Sequence, residues 1–222
     1  MLSAEYYTYS YMKSLSDVQI ADALAPYGVS PPDLQLCETI RSYISLLLRW
    51  NSKISLTTVT DPLEIVRFHF GESMFAASCA SIREGRLADV GTGAGFPGVP
   101  LKLLAPELRL CLIESNKKKA AFLSEIVRDL GLERTEIYRG RMEDYPGGEP
   151  AFDFVAARAL GMHAEVLEWS RTHLSVDGRV LLWLGQADTF AICRAPNWNW
   201  SGPSLIPRSE RRYLLVGRPT PF

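Results

Sequence analysis

The segment Leu87-Ala88-Asp89-Val90-Gly91-Thr92-Gly93-Ala94-Gly95-Phe96-Pro97-Gly98 constrains the fold more than any other part of the chain. A short apolar run, Arg86–Val90, enters it and reads as a strand. An amphipathic stretch running to Leu104 leaves it and reads as a helix. Three glycines at alternate positions let the backbone turn sharply and come close to a ligand. The free amides at the start of the following helix favour an anionic or carboxylate group. Asp89 is a candidate acceptor for hydrogen bonds from the ligand side.

The second feature is acidic. Leu110-Cys111-Leu112-Ile113 reads as the next strand and ends at Glu114. An acid about 20 residues beyond a glycine loop, at an adjacent strand end, is placed to bind ribose hydroxyls. Together the two features predict a nucleoside-type ligand at the carboxyl edge of a sheet. Gly93, Gly95 and Gly98 also satisfy G-x-G-x-x-G, so that pattern alone does not separate nicotinamide from adenosylmethionine. The acid at the end of the first strand and the earlier G-x-G-x-G look like the methyltransferase form.

The rest of the chain divides in two. The first third reads as helices. Ser16 or Asp17 caps one that ends near Pro26-Tyr27-Gly28, and Pro31-Pro32-Asp33 opens a longer one. In the latter, Leu34, Cys37, Ile40, Ile44, Leu47 and Leu48 recur at helical spacing. A third starts at Asp61-Pro62, with Ile65, Val66, Phe68 and Met74 as core contacts. From Leu87 onward strands and helices alternate: strands at Arg109–Ile113, Thr135–Tyr138, Phe152–Ala156 and Arg179–Leu184, helices at Lys117–Leu130 and His163–Leu174. Alternation of this kind builds a parallel sheet covered on both faces. In the tail, Ser204–Pro207 and Arg212–Val216 follow one another without a helix, as an antiparallel hairpin does. The predicted architecture is α/β, a Rossmann-like seven-stranded methyltransferase sheet, mostly parallel with an antiparallel last strand and an N-terminal helical extension. Residues 1–80 form the helical segment and 81–222 the methyltransferase domain.

Composition narrows the function classes. A net charge of −1 over 222 residues argues against a polycation gripping nucleic acid by bulk electrostatics, and leaves room for a local basic patch. Cys37, Cys79, Cys111 and Cys193 match no zinc spacing, so no metal site is expected, and a reducing, cytoplasmic setting is the simplest. The tyrosine-rich opening has no secretory pattern, and no apolar run is long enough to span a membrane.

DVGTGAGFPGVPLKLLAPE, with ESNKKKAAFLSEIVRDLGL, RGRMED and FDFVAARAL, resembles the bacterial small-subunit rRNA guanine-N7 methyltransferases, also called glucose-inhibited division protein B. RWNSKISLTTVTDPLEIVRFHFGES is similar to the family's W-N-x-x-x-N-L-T followed by H-x-x-D-S. The resemblance implies S-adenosylmethionine as methyl donor and a guanine of 16S rRNA, in the small ribosomal subunit, as acceptor. It also implies cofactor roles for Gly91, Phe96, Met142, Glu143 and Arg158, to which Asp89, Gly93 and Glu114 are added from the residues themselves. Arg158, following the fourth strand, is expected to hold the methionine part or the target, and is the one candidate catalytic residue. Ser55, Phe68, Glu72 and Leu184 depart from the family pattern.

Guanine N7 carries a lone pair and no proton, so its methylation needs alignment rather than a general base. His69 and Glu72, three apart on a helix, either border the site mouth or are a packed histidine and a surface acid. Arg208, Arg211, Arg212 and Arg218 make the tail locally basic, which fits an RNA footprint or a protected strand edge. Lys117-Lys118-Lys119 reads as a solvated helix face, and Trp198 and Trp200 as sheet packing. A monomer is favoured. The rival readings are a small-molecule methyltransferase, a non-catalytic adenosylmethionine-binding protein, and a nicotinamide oxidoreductase, for which no hydride-site constellation is found.

Overall fold

The computed structural model describes residues 15–146, 151–159 and 161–220; the tyrosine-rich opening lies outside them. Helix α1 (Asp17–Leu24) starts from Ser16 in a capping box: the Ser16 hydroxyl accepts from the Gln19 amide, and the Gln19 side chain accepts from the Ser16 amide. A 3₁₀ turn, Ala25–Tyr27, ends at Gly28 in the left-handed region. Helix α2 (Leu34–Asn51) is capped by the Asp33 carboxylate, which accepts from the Leu36 amide.

After Asp61 the chain forms one helical rod of three parts: α3 (Pro62–Ile65), a π-helical turn (Val66–Gly71) and α4 (Glu72–Cys79). Pro62 sits in the first turn, where its missing N–H costs nothing. The π turn carries one residue more per turn than an α-helix, and such insertions occur frequently at functional sites.

The sheet strands are β1 (Arg86–Val90), β2 (Arg109–Ile113), β3 (Thr135–Tyr138), β4 (Phe152–Arg158), β5 (Leu174–Gly185), β6 (Trp198–Trp200), β7 (Ser204–Leu205) and β8 (Arg212–Pro219). Between them lie α5 (Gly98–Leu104), α6 (Lys117–Asp129), α7 (His163–His173) and α8 (Gln186–Ile192). The strand order is β3-β2-β1-β4-β5-β8-β6, with β7 also on β8. The first five strands pair in parallel, and β8 runs antiparallel to β5. Short β6 and β7 pair with different stretches of β8, so the seven positions expected across the sheet are filled by eight strands. β5 begins at Leu174, ahead of the turn expected at Asp177-Gly178, and its pairing with β4 shifts register between Phe152 and Phe154.

Alternation along the strands divides the core. Leu87, Leu110, Leu112, Phe154, Ala156, Leu181 and Trp183 share one apolar cluster with Ile40, Tyr43, Ile44, Val66, Phe70 and Met74 of the N-terminal helices. Val90, Cys111, Ile113, Val155, Ala157, Leu182 and Leu184 face the other way, toward Val166 and Trp169 of α7. Burial on both faces explains why these strands read as unbroken apolar runs. From β1 the chain crosses over to β2 and β3 on one side; β4 and β5 lie on the other. The strand order therefore reverses between β1 and β4, where open α/β sheets carry their ligand crevice.

Candidate active site

The glycine loop leaves β1 at the reversal point. The Gly91 and Thr92 amides both donate to the Ile113 carbonyl, at 2.9 and 3.2 Å, folding the loop over the end of β2. The Gly95 and Phe96 amides donate to the Thr92 carbonyl. At Gly95 the backbone φ is +88°, and an added Cβ would lie 2.7 Å from the Tyr43 hydroxyl, so both conformation and space demand glycine. Tyr43 in α2 is fully buried and donates to the Ala94 carbonyl, fastening the loop to the N-terminal helices.

Asp89 is fully buried beneath this loop. Its Oδ2 accepts from the Thr92 hydroxyl at 2.5 Å and from the Gly98 amide at 2.7 Å. Its Oδ1 is buried with no hydrogen-bond partner among the described residues. Burial pushes the Asp89 carboxyl up to about 7; Glu114 adds to the rise, while the two hydrogen bonds and the charge of Arg158 oppose it.

Glu114 directly follows β2 and is buried. Its two oxygens accept from the Gly93 amide at 3.0 Å and the Asn116 amide at 2.7 Å. The acid thus ties the glycine loop to the start of α6, and its carboxylate is held in one orientation. Beside it a cleft of about 240 Å³ is lined by residues that include Gly91, Ile113, Ser115, Met142, Glu143 and Met162.

The remaining expected residues fall elsewhere. Phe96 turns from the cleft toward the N-terminal helices, with its ring 4.7 Å from that of His69 in a stack and near Tyr43 and Phe70. Arg158 also turns that way. Its guanidinium donates to the Glu72 carboxylate at 3.0 Å, the Phe68 carbonyl at 2.7 Å, the His69 carbonyl at 3.5 Å and the Ser73 hydroxyl at 3.2 Å. Glu72, expected either at the site mouth or on the surface, is buried. It accepts from Arg158 through one oxygen and from Arg212 of β8 through the other, at 2.5 and 3.0 Å. Its backbone carbonyl accepts from the Trp183 indole.

His69 is held by contact of its Nε2 with the Thr57 hydroxyl at 2.7 Å. Burial, helped by the charge of Arg158, lowers its pKa to about 4, so the ring is neutral at pH 7. Ser115 and Met162 were missed by sequence reasoning, whereas Arg141 stands out in sequence as part of a basic rim with Arg139 and Arg158. Ser115 was findable as the residue after the predicted ribose acid; Met162 carries no signal in sequence.

Residues 36–196 match the GidB family model, described as rRNA small subunit methyltransferase G. The chain is 39% identical over 145 residues to the Ribosomal RNA small subunit methyltransferase G of Thermoanaerobacter sp. (strain X514), covering 64% of this chain and 60% of the relative. The first curated relatives are thus matched over about three fifths of their length. The like-named protein of Enterobacter sp. (strain 638) is 32% identical over 209 residues, covering 92% of this chain and 99% of the relative. Among solved structures, a ribosomal protein L11 methylase from Lactobacillus delbrueckii subsp. bulgaricus superposes with a TM-score of 0.59 at 18% identity, covering 70% of this chain and 80% of that one. A SAM dependent methyltransferase from Aquifex aeolicus does so with a TM-score of 0.56 at 15% identity, covering 65% and 88%. At those identities the likeness is one of fold. The loop, the acid at the next strand end and the sequence match converge: this chain belongs to the rRNA small subunit methyltransferase G family.

Proposed function

We propose that the chain is an S-adenosylmethionine-dependent methyltransferase that methylates N7 of a guanine in 16S rRNA, acting as a monomer on the small ribosomal subunit in the cytoplasm. One observation carries the reading: the cleft at the reversal point, walled by Val90 and Gly91 at the start of the glycine loop on one side and by Met142 and Glu143 on the other, with Ile113 and Ser115, the neighbours of Glu114, also lining it.

The residues present fit such a cofactor. The cleft joins an apolar wall (Ile113, Met142) to an acid (Glu143), and the oriented acid Glu114 lies between two of its lining residues, Ile113 and Ser115, as a nucleoside's base and ribose require. Behind it Asp89 carries a buried carboxylate oxygen without a partner among the described residues. Gly91 and Gly93 would hold the amino-acid arm through their backbone, Glu114 the ribose, and Met142 and Glu143 the base. Phe96 and Arg158 hold the loop and the N-terminal helices around the cleft through His69 and Glu72. Arg158 is accordingly a positioning residue in this reading.

When bound, the sulfonium supplies an electrophilic methyl group. The guanine N7 lone pair forms the new C–N bond as the C–S bond breaks, and no proton moves. Orientation is the protein's main task, and neutral His69, already bonded to Thr57, is not asked to shuttle a proton.

The test uses labelled S-adenosylmethionine with 30S subunits, and separately with deproteinised 16S rRNA, from cells lacking the modification. Label recovered at a guanine N7 supports the proposal. No transfer to either substrate, despite measurable cofactor binding, overturns it.

A further inference from the structure

The four tail arginines do not act alike once folded. Arg212 is committed: it pairs with Glu72 and its guanidinium lies 5.3 Å above the Phe68 ring, at the position where the resemblance leads one to expect an arginine. Arg218 is near Asp177 of β5, at 3.7 Å. Arg208 and Arg211, in the turn between β7 and β8, are exposed, and their side chains form no ion pair or hydrogen bond among the described residues. The turn that carries them is built rather than loose. The Ser209 amide donates to the Ile206 carbonyl, and the Ser209 hydroxyl accepts from the Arg211 and Arg212 amides. Arg208 itself sits at a φ of +60°.

Topology sets where this turn lies. Arg212 pairs with Gly185, the last residue of β5, so the turn stands at the carboxyl edge of the sheet, the edge that carries the cleft. Across it stand Arg67 and Phe68 of the π turn. The Arg212 guanidinium over the Phe68 ring, and its pairing with Glu72, set the start of β8 against the π turn. Acids are present too: Glu64 pairs with Arg67, Glu72 is shared between Arg158 and Arg212, and Glu210 is exposed in the turn. The arginines outnumber them, on a chain whose overall charge is −1.

We propose that Arg208 and Arg211 are a phosphate clamp for the backbone of the RNA strand that carries the target guanine. The proposal rests on the RNA reading of the cleft and says which face meets the RNA. Guanidinium forks suit phosphate oxygens, and contacts of this class set orientation on the nucleic acid rather than base choice. Arg212 is excluded from the clamp because its charge is already spent on Glu72.

The test is binding of the full chain to unmodified 16S rRNA transcript across a salt series, for the wild type, the Arg208→Gln/Arg211→Gln double variant and Arg109→Gln. Arg109 is exposed at the start of β2, on the opposite edge of the sheet. Loss of two phosphate contacts lowers the slope of log K against log salt by about 1.4 and weakens binding roughly tenfold near physiological salt. The double variant is expected to show that change with an unaltered thermal unfolding transition, and Arg109→Gln none. An unchanged slope in the double variant, with wild-type binding and methyl transfer intact, overturns the clamp and leaves the RNA reading standing. A double variant that loses transfer on 30S subunits yet keeps the wild-type slope on naked rRNA points to a ribosomal protein as the partner of this turn, and also overturns it. Failure of the wild type to bind or methylate any 16S rRNA overturns both.

Discussion

Glu72 and Arg158, 86 positions apart in sequence, form a buried ion pair at 3.0 Å that ties the N-terminal helical rod to the end of β4. The same guanidinium takes up the Phe68 and His69 carbonyls of the π turn. Those carbonyls belong to the turn where the helical ladder changes register, so Arg158 supplies donors where they are needed.

Glu72→Gln leaves Arg158 buried without its counter-ion. Removing one partner of a buried pair costs about 3 kcal/mol or more. Arg212 is half exposed and contributes little to that loss. Urea unfolding of the variant against the wild type measures it, and a difference below about 1 kcal/mol would show that the pair does not anchor the rod.

Asp89 makes stability depend on pH in an unusual direction. Its carboxyl is raised from 3.8 to about 7 on folding, so the folded state holds a proton that the unfolded chain releases. The resulting stabilisation is complete below pH 3.8 and is lost as pH rises to about 7. Asp89→Asn should remove that slope. Binding of cationic S-adenosylmethionine is expected to draw that proton from Asp89, so calorimetry in buffers of different ionisation enthalpy should show proton release in the wild type and none in the variant. Equal proton release in variant and wild type sinks this assignment.

His69 acts in the opposite sense. Its pKa falls from 6.5 to about 4 on folding, so its contribution is complete above pH 6.5 and lost as pH drops toward 4. His69→Phe keeps an aromatic ring against Phe96 and should flatten that part of the curve. Thermal unfolding from pH 4 to 7 separates it from Asp89, because the two variants tilt the profile in opposite directions.

Gly91→Arg places a long side chain where the cleft is lined by backbone. Affinity for S-adenosylmethionine should fall below detection while the far-ultraviolet spectrum stays native. Retained affinity would mean that the ligand lies elsewhere.

The strands flanking the cleft were legible because each is short, apolar and bounded by turn residues: Arg86–Val90, Arg109–Ile113 and Thr135–Tyr138 stand where their sequence patterns end. The glycine loop and Glu114 were legible for the same reason, since a parallel strand delivers its C-terminal neighbours to the carboxyl edge of the sheet. The π turn was not. A helical reading puts Phe68 in the core, but the inserted residue rotates the buried face, so Phe70 is buried and Phe68 only half buried. The direction of Arg158 was equally hidden. Position after a strand predicts a side chain aimed at the crevice, whereas its partner Glu72 comes from a distant helix that no local pattern connects to it. Phe96, given a cofactor role by the family resemblance, stacks on His69, a contact that no local pattern announces.

The contact between Glu72 and Arg212 carries a consequence for biosynthesis. A nascent chain displays the glycine loop, Glu114 and Arg158 well before residue 212 is made. Until then Glu72 has one arginine instead of two, and β5 has no antiparallel neighbour at its outer edge. The sheet around the cleft is therefore completed only after the chain has passed β5 and β8 docks. Incomplete chains released earlier carry an exposed β5 edge, and are the natural targets for quality-control proteases.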